Sequence, residues 1–277
     1  MTTSTSTAAT PDLAAVKRRQ QATWATGDYA AVATLIVPVA EILCDVADLR
    51  AGSRVLDVAT GSGNAAIAAA RLGCAVTGVD YVPQLLERGR ERARAERLEV
   101  AFTEGDVEDI PFPDATFDAV VSVYGSMFAP DHRRAAAEIV RVCRPGGRVA
   151  LASWTPTGFV GQMFATLTRH VPPPPGLASP MLWGTEEHLA GLFGGTVDWA
   201  HHRRPHFTFR FTSPEEYVSY FAAHFGPTMT ALAALGEGRG AELAADLTAL
   251  ARRFDRLGED GAVAIPAEYL ESVGIRR

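Results

Sequence analysis

The sequence predicts an α/β fold: a doubly wound, mostly parallel sheet of seven strands, with helices on both faces. Two observations carry this expectation. Between residues 54 and 154, short runs of β-branched and apolar residues alternate with helical segments. Alternation of this kind requires crossover helices, and crossover helices make the strands parallel. The second observation is the order strand, tight turn, helix. Val55-Leu56-Asp57-Val58 runs into Ala59-Thr60-Gly61-Ser62-Gly63, and an alanine-rich stretch follows from Asn64. Gly61 and Gly63 allow the backbone to approach a ligand where a Cβ would block it.

Taken in order, residues 12–47 read as helical. Leu35, Val39, Ile42, Leu43 and Val46 recur at three- and four-residue steps, which gives one apolar face. Gly27-Asp28 divides this region into two helices. Ala51-Gly52 turns the chain into a first strand at 54–58. A helix at 64–72 stops at Gly73. A strand at 75–80 follows, then a helix that opens at Pro83 and continues over 84–97. Strands are expected at 98–103 and 117–124. Asp131 caps a helix that runs to residue 143. Arg144-Pro145-Gly146-Gly147 breaks it before a fifth strand at 148–154. Beyond Trp154 the pattern loosens. Helices at 159–170 and 186–193 flank a stiff proline stretch at 172–175. The alternating aromatics of Phe207, Phe209 and Phe211 mark a half-buried strand at 205–211. Residues 214–257 return to helix, with breaks at Pro227 and 236–240. They form an insertion before a last strand at 262–275.

Composition bounds the function. The chain has 277 residues, 47% hydrophobic and 21% charged, an ordinary globular balance. Its net charge of -6, from 26 basic and 32 acidic residues, argues against a nucleic-acid partner, which calls for a basic excess. The densest basic stretch, 87–97, alternates arginine with glutamate at helical spacing and reads as a solvated face. Cys44, Cys74 and Cys143 form no CxxC pair, so reduced, buried thiols of a cytoplasmic protein are expected. The run His201-His202-Arg203-Arg204-Pro205-His206 has poor spacing for a tetrahedral site, and no metal is expected. Residues 1–10 lack the charged start and apolar core of a signal peptide and read as a disordered tail. No apolar run reaches the length of a membrane span, so no membrane partner is expected. A homodimer is compatible with the chain.

The chemistry-bearing residues fall at strand ends. Asp80 closes the second strand nineteen residues after Gly61. A carboxylate there accepts both hydroxyls of a ribose lying over the glycine turn. Loop and acid together fit a dinucleotide or S-adenosylmethionine (SAM). Asp106, after the third strand, favours SAM, because a carboxylate there accepts the exocyclic amine of an adenine beside the strand ends. The loop from Asp57 to Gly63, Asp80, Gly105-Asp106, Pro111-Phe112-Pro113-Asp114 with Phe117-Asp118, and Arg144-Pro145-Gly146-Gly147 resemble the ordered motif set of class I SAM-dependent methyltransferases. The similarity is greatest to the subgroup that includes the ubiquinone/menaquinone-biosynthesis type. It is strong over about residues 50–155. Trp24, Gly27-Asp28-Tyr29 and Pro266-Ala267-Glu268-Tyr269-Leu270 resemble uncharacterised bacterial relatives. Position 59 departs from the pattern, with alanine where the family often has glycine.

The resemblance implies a Rossmann-like single domain over 11–277. A helical lid (11–50) would precede a SAM-binding core (51–155) and an acceptor-side cover with the last strands (156–277). It implies that Ala59, Thr60, Gly61 and Gly63 cradle the methionine part while Asp57 orients the loop. Asp80 would hold the ribose, with Tyr81 and Val82 against the adenine or ribose. Asp106 and Val107 would read the adenine edge, and Ser122 and Tyr124 would lie beneath the sulfonium. Trp24 and Tyr29 would be the lid residues nearest the ligand. Methyl transfer from a sulfonium is an in-line displacement in which positioning alone supplies ~7–11 kcal/mol. A base is needed only if the nucleophile arrives protonated. The candidates are His132, His170, His224 and Tyr124, and His132 is favoured by its place after the fourth strand. The acceptor is expected to be a small, partly apolar molecule attacking through oxygen, nitrogen or carbon. Two alternatives stand. An NAD(P)-dependent oxidoreductase would use the same loop and Asp80 but has no use for Asp106, and a Tyr-x-x-x-Lys pair is missing because Lys17 is the only lysine. A non-catalytic SAM-binding protein is the other.

Overall fold

Val55, Leu56, Asp57 and Val58 are covered on both faces, which is why this strand carries no polar alternation. It is β1 (Arg54–Val58) in the computed structural model, which describes residues 11–258 and 261–277. The tail expected over 1–10 lies outside the described residues. Parallel pairing joins β1 to β2 (Ala75–Asp80) on one side and to β4 (Phe117–Val123) on the other. Beyond them lie β3 (Val100–Glu104), paired with β2, and β5 (Cys143–Trp154), paired with β4. The chain therefore winds outward from β1 through β2 and β3, then returns across it to β4. The crevice outside the C-terminal ends of β1 and β4 is the switch point where ligands bind in open α/β sheets.

The sheet has one strand more than the seven expected. Its order is β3-β2-β1-β4-β5-β8-β6, with β7 also on β8. β8 (Val263–Arg276) runs antiparallel to β5 and is long enough to pair twice on its far side. Its C-terminal part takes β6 (Val197–Arg203), and its N-terminal part takes β7 (His206–Phe211). Pro205 separates the two, since proline cannot donate to a continuous ladder. β6 escapes a periodicity reading because its residues are mostly half-buried or exposed and a register shift interrupts it between Trp199 and His201.

The N-terminal region contains three helices, not two: α1 (Leu13–Trp24), α2 (Tyr29–Leu35) and α3 (Val37–Val46). The extra break falls at Ile36, just before Pro38, which has no N–H to continue α2. Crossover helices α4 (Asn64–Arg71), α5 (Pro83–Ala95) and α6 (His132–Val142) cover the sheet. Asp131 caps α6 as expected, accepting from the Arg134 N–H at 3.0 Å. α7 (Phe159–His170) and α8 (Glu186–Phe193) follow β5. The insertion before β8 consists of α9 (Pro214–His224) and α10 (Gly226–Phe254), the latter kinked at Gly236. Among the described residues no single helix is long and apolar enough to cross a membrane.

Candidate functional site

The turn after β1 is held from below. Asp57, 2% exposed, accepts from the Thr60 hydroxyl at 2.5 Å and from the Ala66 N–H at 2.8 Å. Its carboxylate thus ties the turn to the first turn of α4. Burial pushes its pKa up to about 7, the two hydrogen bonds resist this, and the nearby charge of Asp80 adds to it. Ala59 sits at φ 50°, a left-handed conformation that costs a non-glycine residue roughly 1–2 kcal/mol. Gly63, at φ 84°, starts α4 from the same region.

Asp80 ends β2 on the floor of the crevice. One carboxylate oxygen accepts the Gly61 N–H and the other the Val82 N–H, each at 2.9 Å. A carboxylate offers about four lone-pair sites, so each oxygen keeps capacity for a ligand donor. Burial raises its pKa to about 6 against the pull of those backbone bonds. The Tyr29 ring lies over Gly61 from α2, its Cε1 3.5 Å from where a Cβ on that glycine would stand. Burial, then the charge of Asp80, pushes the Tyr29 hydroxyl to about 12.

At the end of β3, Asp106 accepts from the Lys17 ammonium at 2.5 Å, and Glu108 accepts from it at 2.6 Å. Burial works against the Lys17 charge, but the two carboxylates outweigh it and hold the ammonium above its ordinary value. One turn along α1, the Gln21 amide donates to the Tyr81 carbonyl. These contacts strap α1 across the strand ends, although none of its residues is buried.

Tyr124 follows β4 at φ 60°. Its ring stacks on Trp154 with centroids 3.7 Å apart and planes 6° from parallel. Its hydroxyl is buried without a partner among the described residues. Burial holds the phenol well above its ordinary pKa, so Tyr124 suits a donor and not a base. Ser122 donates to the Val58 carbonyl at 2.9 Å and accepts from the Ser126 N–H at 3.0 Å, stapling β4 to the turn. Gly125 passes so close to Ala59 that a Cβ would overlap the Ala59 carbonyl oxygen.

One cleft gathers Tyr29, Ala59, Thr60, Gly61, Asp80, Tyr81, Asp106, Val107 and Tyr124. Asp57, Gly63, Val82 and Ser122 stand behind its wall. Lys17, Phe128 and Pro130 line it as well, though no spacing in the sequence pointed to them. The cleft encloses about 80 Å³. His132 lies outside it, 6% exposed, at the first position of α6. Its Nδ1 meets His188 Nε2 at 2.9 Å, and Trp183 packs edge-on at 5.8 Å. Burial, then repulsion from His188, lowers its pKa to about 4, with Asp131 opposing. His170 pairs with Asp246 at 2.9 Å and His224 packs on Tyr220, both away from the cleft. His201 and Arg203 pair with Glu271, whose side chain is fully buried, and His202 meets the Ser272 hydroxyl.

A methyltransferase domain family matches residues 56–151. An uncharacterised protein of Mycobacterium tuberculosis is 42% identical over 236 residues, covering 83% of this chain and 86% of its own length. A demethylmenaquinone methyltransferase of Thermus thermophilus is 33% identical over 183 residues, covering 65% of this chain and 76% of its own. The crystal structure of the YcgJ protein from Bacillus subtilis superposes with a TM-score of 0.60 at 19% identity, covering 86% of this chain and 97% of that one.

Proposed function

We propose, from the premise that this chain belongs to the class I SAM-dependent methyltransferases, that the glycine-turn cleft holds SAM and that a small molecule beside it receives the methyl group. When bound, SAM supplies a methyl group on a sulfonium, ready for displacement. The residues present fit it. The observation that carries the reading is the pair of carboxylates at successive strand ends, Asp80 after Gly61 and Asp106 after β3, lining one cleft at the switch point. Asp80 accepts the ribose hydroxyls with the lone pairs its backbone bonds leave over. Asp106 accepts the adenine amine, and Val107 packs beside it. Ala59, Thr60 and Gly61 border the amino-acid end. The unpartnered Tyr124 hydroxyl gains a partner near the reacting centre.

In this conformation the cleft is narrow. Small-molecule pockets span ~300–1,000 Å³, against about 80 Å³ here. Lys17 also holds the carboxylate that the adenine amine needs. α1 therefore lifts to admit the cofactor and returns to exclude water, with its own Trp24 and, from α2, Tyr29 lining the cleft. The name of the Thermus thermophilus relative puts a demethylmenaquinone first among acceptors to try.

Calorimetric titration with S-adenosylhomocysteine and with NADH tests the reading. S-adenosylhomocysteine should bind and NADH should give no heat. Binding of NADH with a silent S-adenosylhomocysteine would overturn it.

A further inference from the structure

A second cavity of about 610 Å³ adjoins the cleft. Trp24, Phe128, Ala129 and Pro130 line both spaces. The remaining wall is largely apolar, with Phe164 of α7 and Met181 and Leu177 of the chain that follows it. Among the described residues lining this chamber, only Arg19 and His132 carry titratable side chains. Arginine stays protonated in proteins, which leaves His132 as the lining group able to take a proton. Its Nδ1 is engaged by His188, and its Nε2 has no partner among the described residues. His132 also lines an outer hollow, and His188 lines that hollow without reaching the chamber.

We propose that this chamber receives an apolar acceptor bearing an ionisable X–H group, that His132 takes its proton, and that His188 holds His132 in the receptive tautomer and passes the proton outward. The proposal rests on the methyl-transfer reading above. In the step, the X–CH₃ bond forms as the methyl–sulfur bond breaks, and sulfur keeps that electron pair as a neutral thioether. The X–H proton goes to His132 Nε2, the Nδ1 proton crosses to His188 Nε2, and the His188 Nδ1 proton leaves to solvent. No oxidant or reductant is required. The lowered pKa values of both imidazoles keep their lone pairs free at neutral pH. The 2.9 Å contact with His188, which lines the outer hollow, gives the proton its way out. The charged groups bordering the pair in the hollow are Asp131 before α6, Arg133 on α6 and Glu187 on α8.

The test uses 1-naphthol, an apolar aryl alcohol that becomes a much stronger acid when excited and emits as naphtholate if a base meets its hydroxyl. With protein in excess, wild type should give the naphtholate band. The double variant Ala165→Trp/Thr168→Trp fills the chamber from α7 and should weaken naphthol binding at least about tenfold. The same variant should leave S-adenosylhomocysteine affinity within about twofold, because neither Ala165 nor Thr168 lines the cleft. His132→Phe should still bind naphthol but shift its emission to the neutral band. His188→Leu should lose most of the naphtholate band, and His188→Gln, whose amide oxygen accepts the same Nδ1 hydrogen bond, should restore it. Naphthol binding indifferent to the tryptophan pair overturns the chamber assignment. Emission indifferent to His132→Phe overturns the base, and equal emission from the two His188 variants overturns the positioning role. A wild type that takes naphthol but not S-adenosylhomocysteine sinks the methyl-transfer reading instead.

Discussion

The cofactor cleft and the chamber beside it are made of different things. The cleft is built mainly from backbone turns and short acidic side chains between Asp57 and Gly125, each placed by the strand it ends. The chamber is built from side chains that converge from α1, the turn after β4, the start of α6, α7, the segment before α8 and the start of α10. A cleft of the first kind depends on a few φ angles and close approaches and should tolerate almost no added atom. A chamber of the second kind should accept substitution and change its ligand.

The sharpest way to break that contrast is Gly125→Ala. The added methyl meets the Ala59 carbonyl, and overpacking of backbone on backbone should cost about 1–3 kcal/mol or more. Thermal unfolding should show a clear fall in Tm, whereas Ala165→Ser in the chamber wall should leave Tm nearly unchanged. Equal responses would erase the distinction.

On the ligand side, Asp80→Ala should weaken S-adenosylhomocysteine binding by about 1.5–3 kcal/mol for each charged hydrogen bond lost. Calorimetry measures it, and an unchanged Kd would place the ribose elsewhere. The same carboxylate sets a pH dependence. Its free-state pKa is about 6, and binding uses the ionised form. Affinity should therefore be full above that value and fall about tenfold per pH unit below it. In Asp80→Ala this part of the pH dependence should vanish.

The smallest effect is expected from Lys17→Met. Lys17 and Asp106 are partly exposed, at 25% and 31%, and only Glu108 is buried, so loss of the strap should change affinity by about 1 kcal/mol. The change should appear as faster association of S-adenosylhomocysteine by stopped-flow and faster hydrogen exchange in α1. Slower association would mean that Lys17 guides the ligand in.

The difference between the two regions is also a difference in what could be read from the chain. Asp57, Asp80 and the turn between Gly61 and Gly63 were legible because strand, turn and helix are local and the acid closes the strand that carries it. Asp106 was legible from its place just after β3, and the parallel strands followed from their alternation with helices, although β3 and β4 are joined without one. Lys17 was not legible as a partner of Asp106, because 89 residues separate them and nothing in α1 fixes which face meets the sheet. The His132–His188 pair spans 56 residues and depends on how α8 packs against α6. β6 was missed because a polar, register-shifted edge strand lacks the period that exposes a buried one. Ala59 shows the limit from the other side. The sequence marked it as a departure, and the structure adds that the alanine is held left-handed by its surroundings.

The strap across the cleft has a chemical consequence. Lys17 is the only lysine in the chain, so an acylating reagent that seeks primary amines finds one side chain to modify. In this conformation the Lys17 ammonium is held between two carboxylates, which slows its acylation. On the opening proposed above it would leave both and become an ordinary nucleophile. The rate of acylation at this position would then report openings of the cleft, without any engineered label.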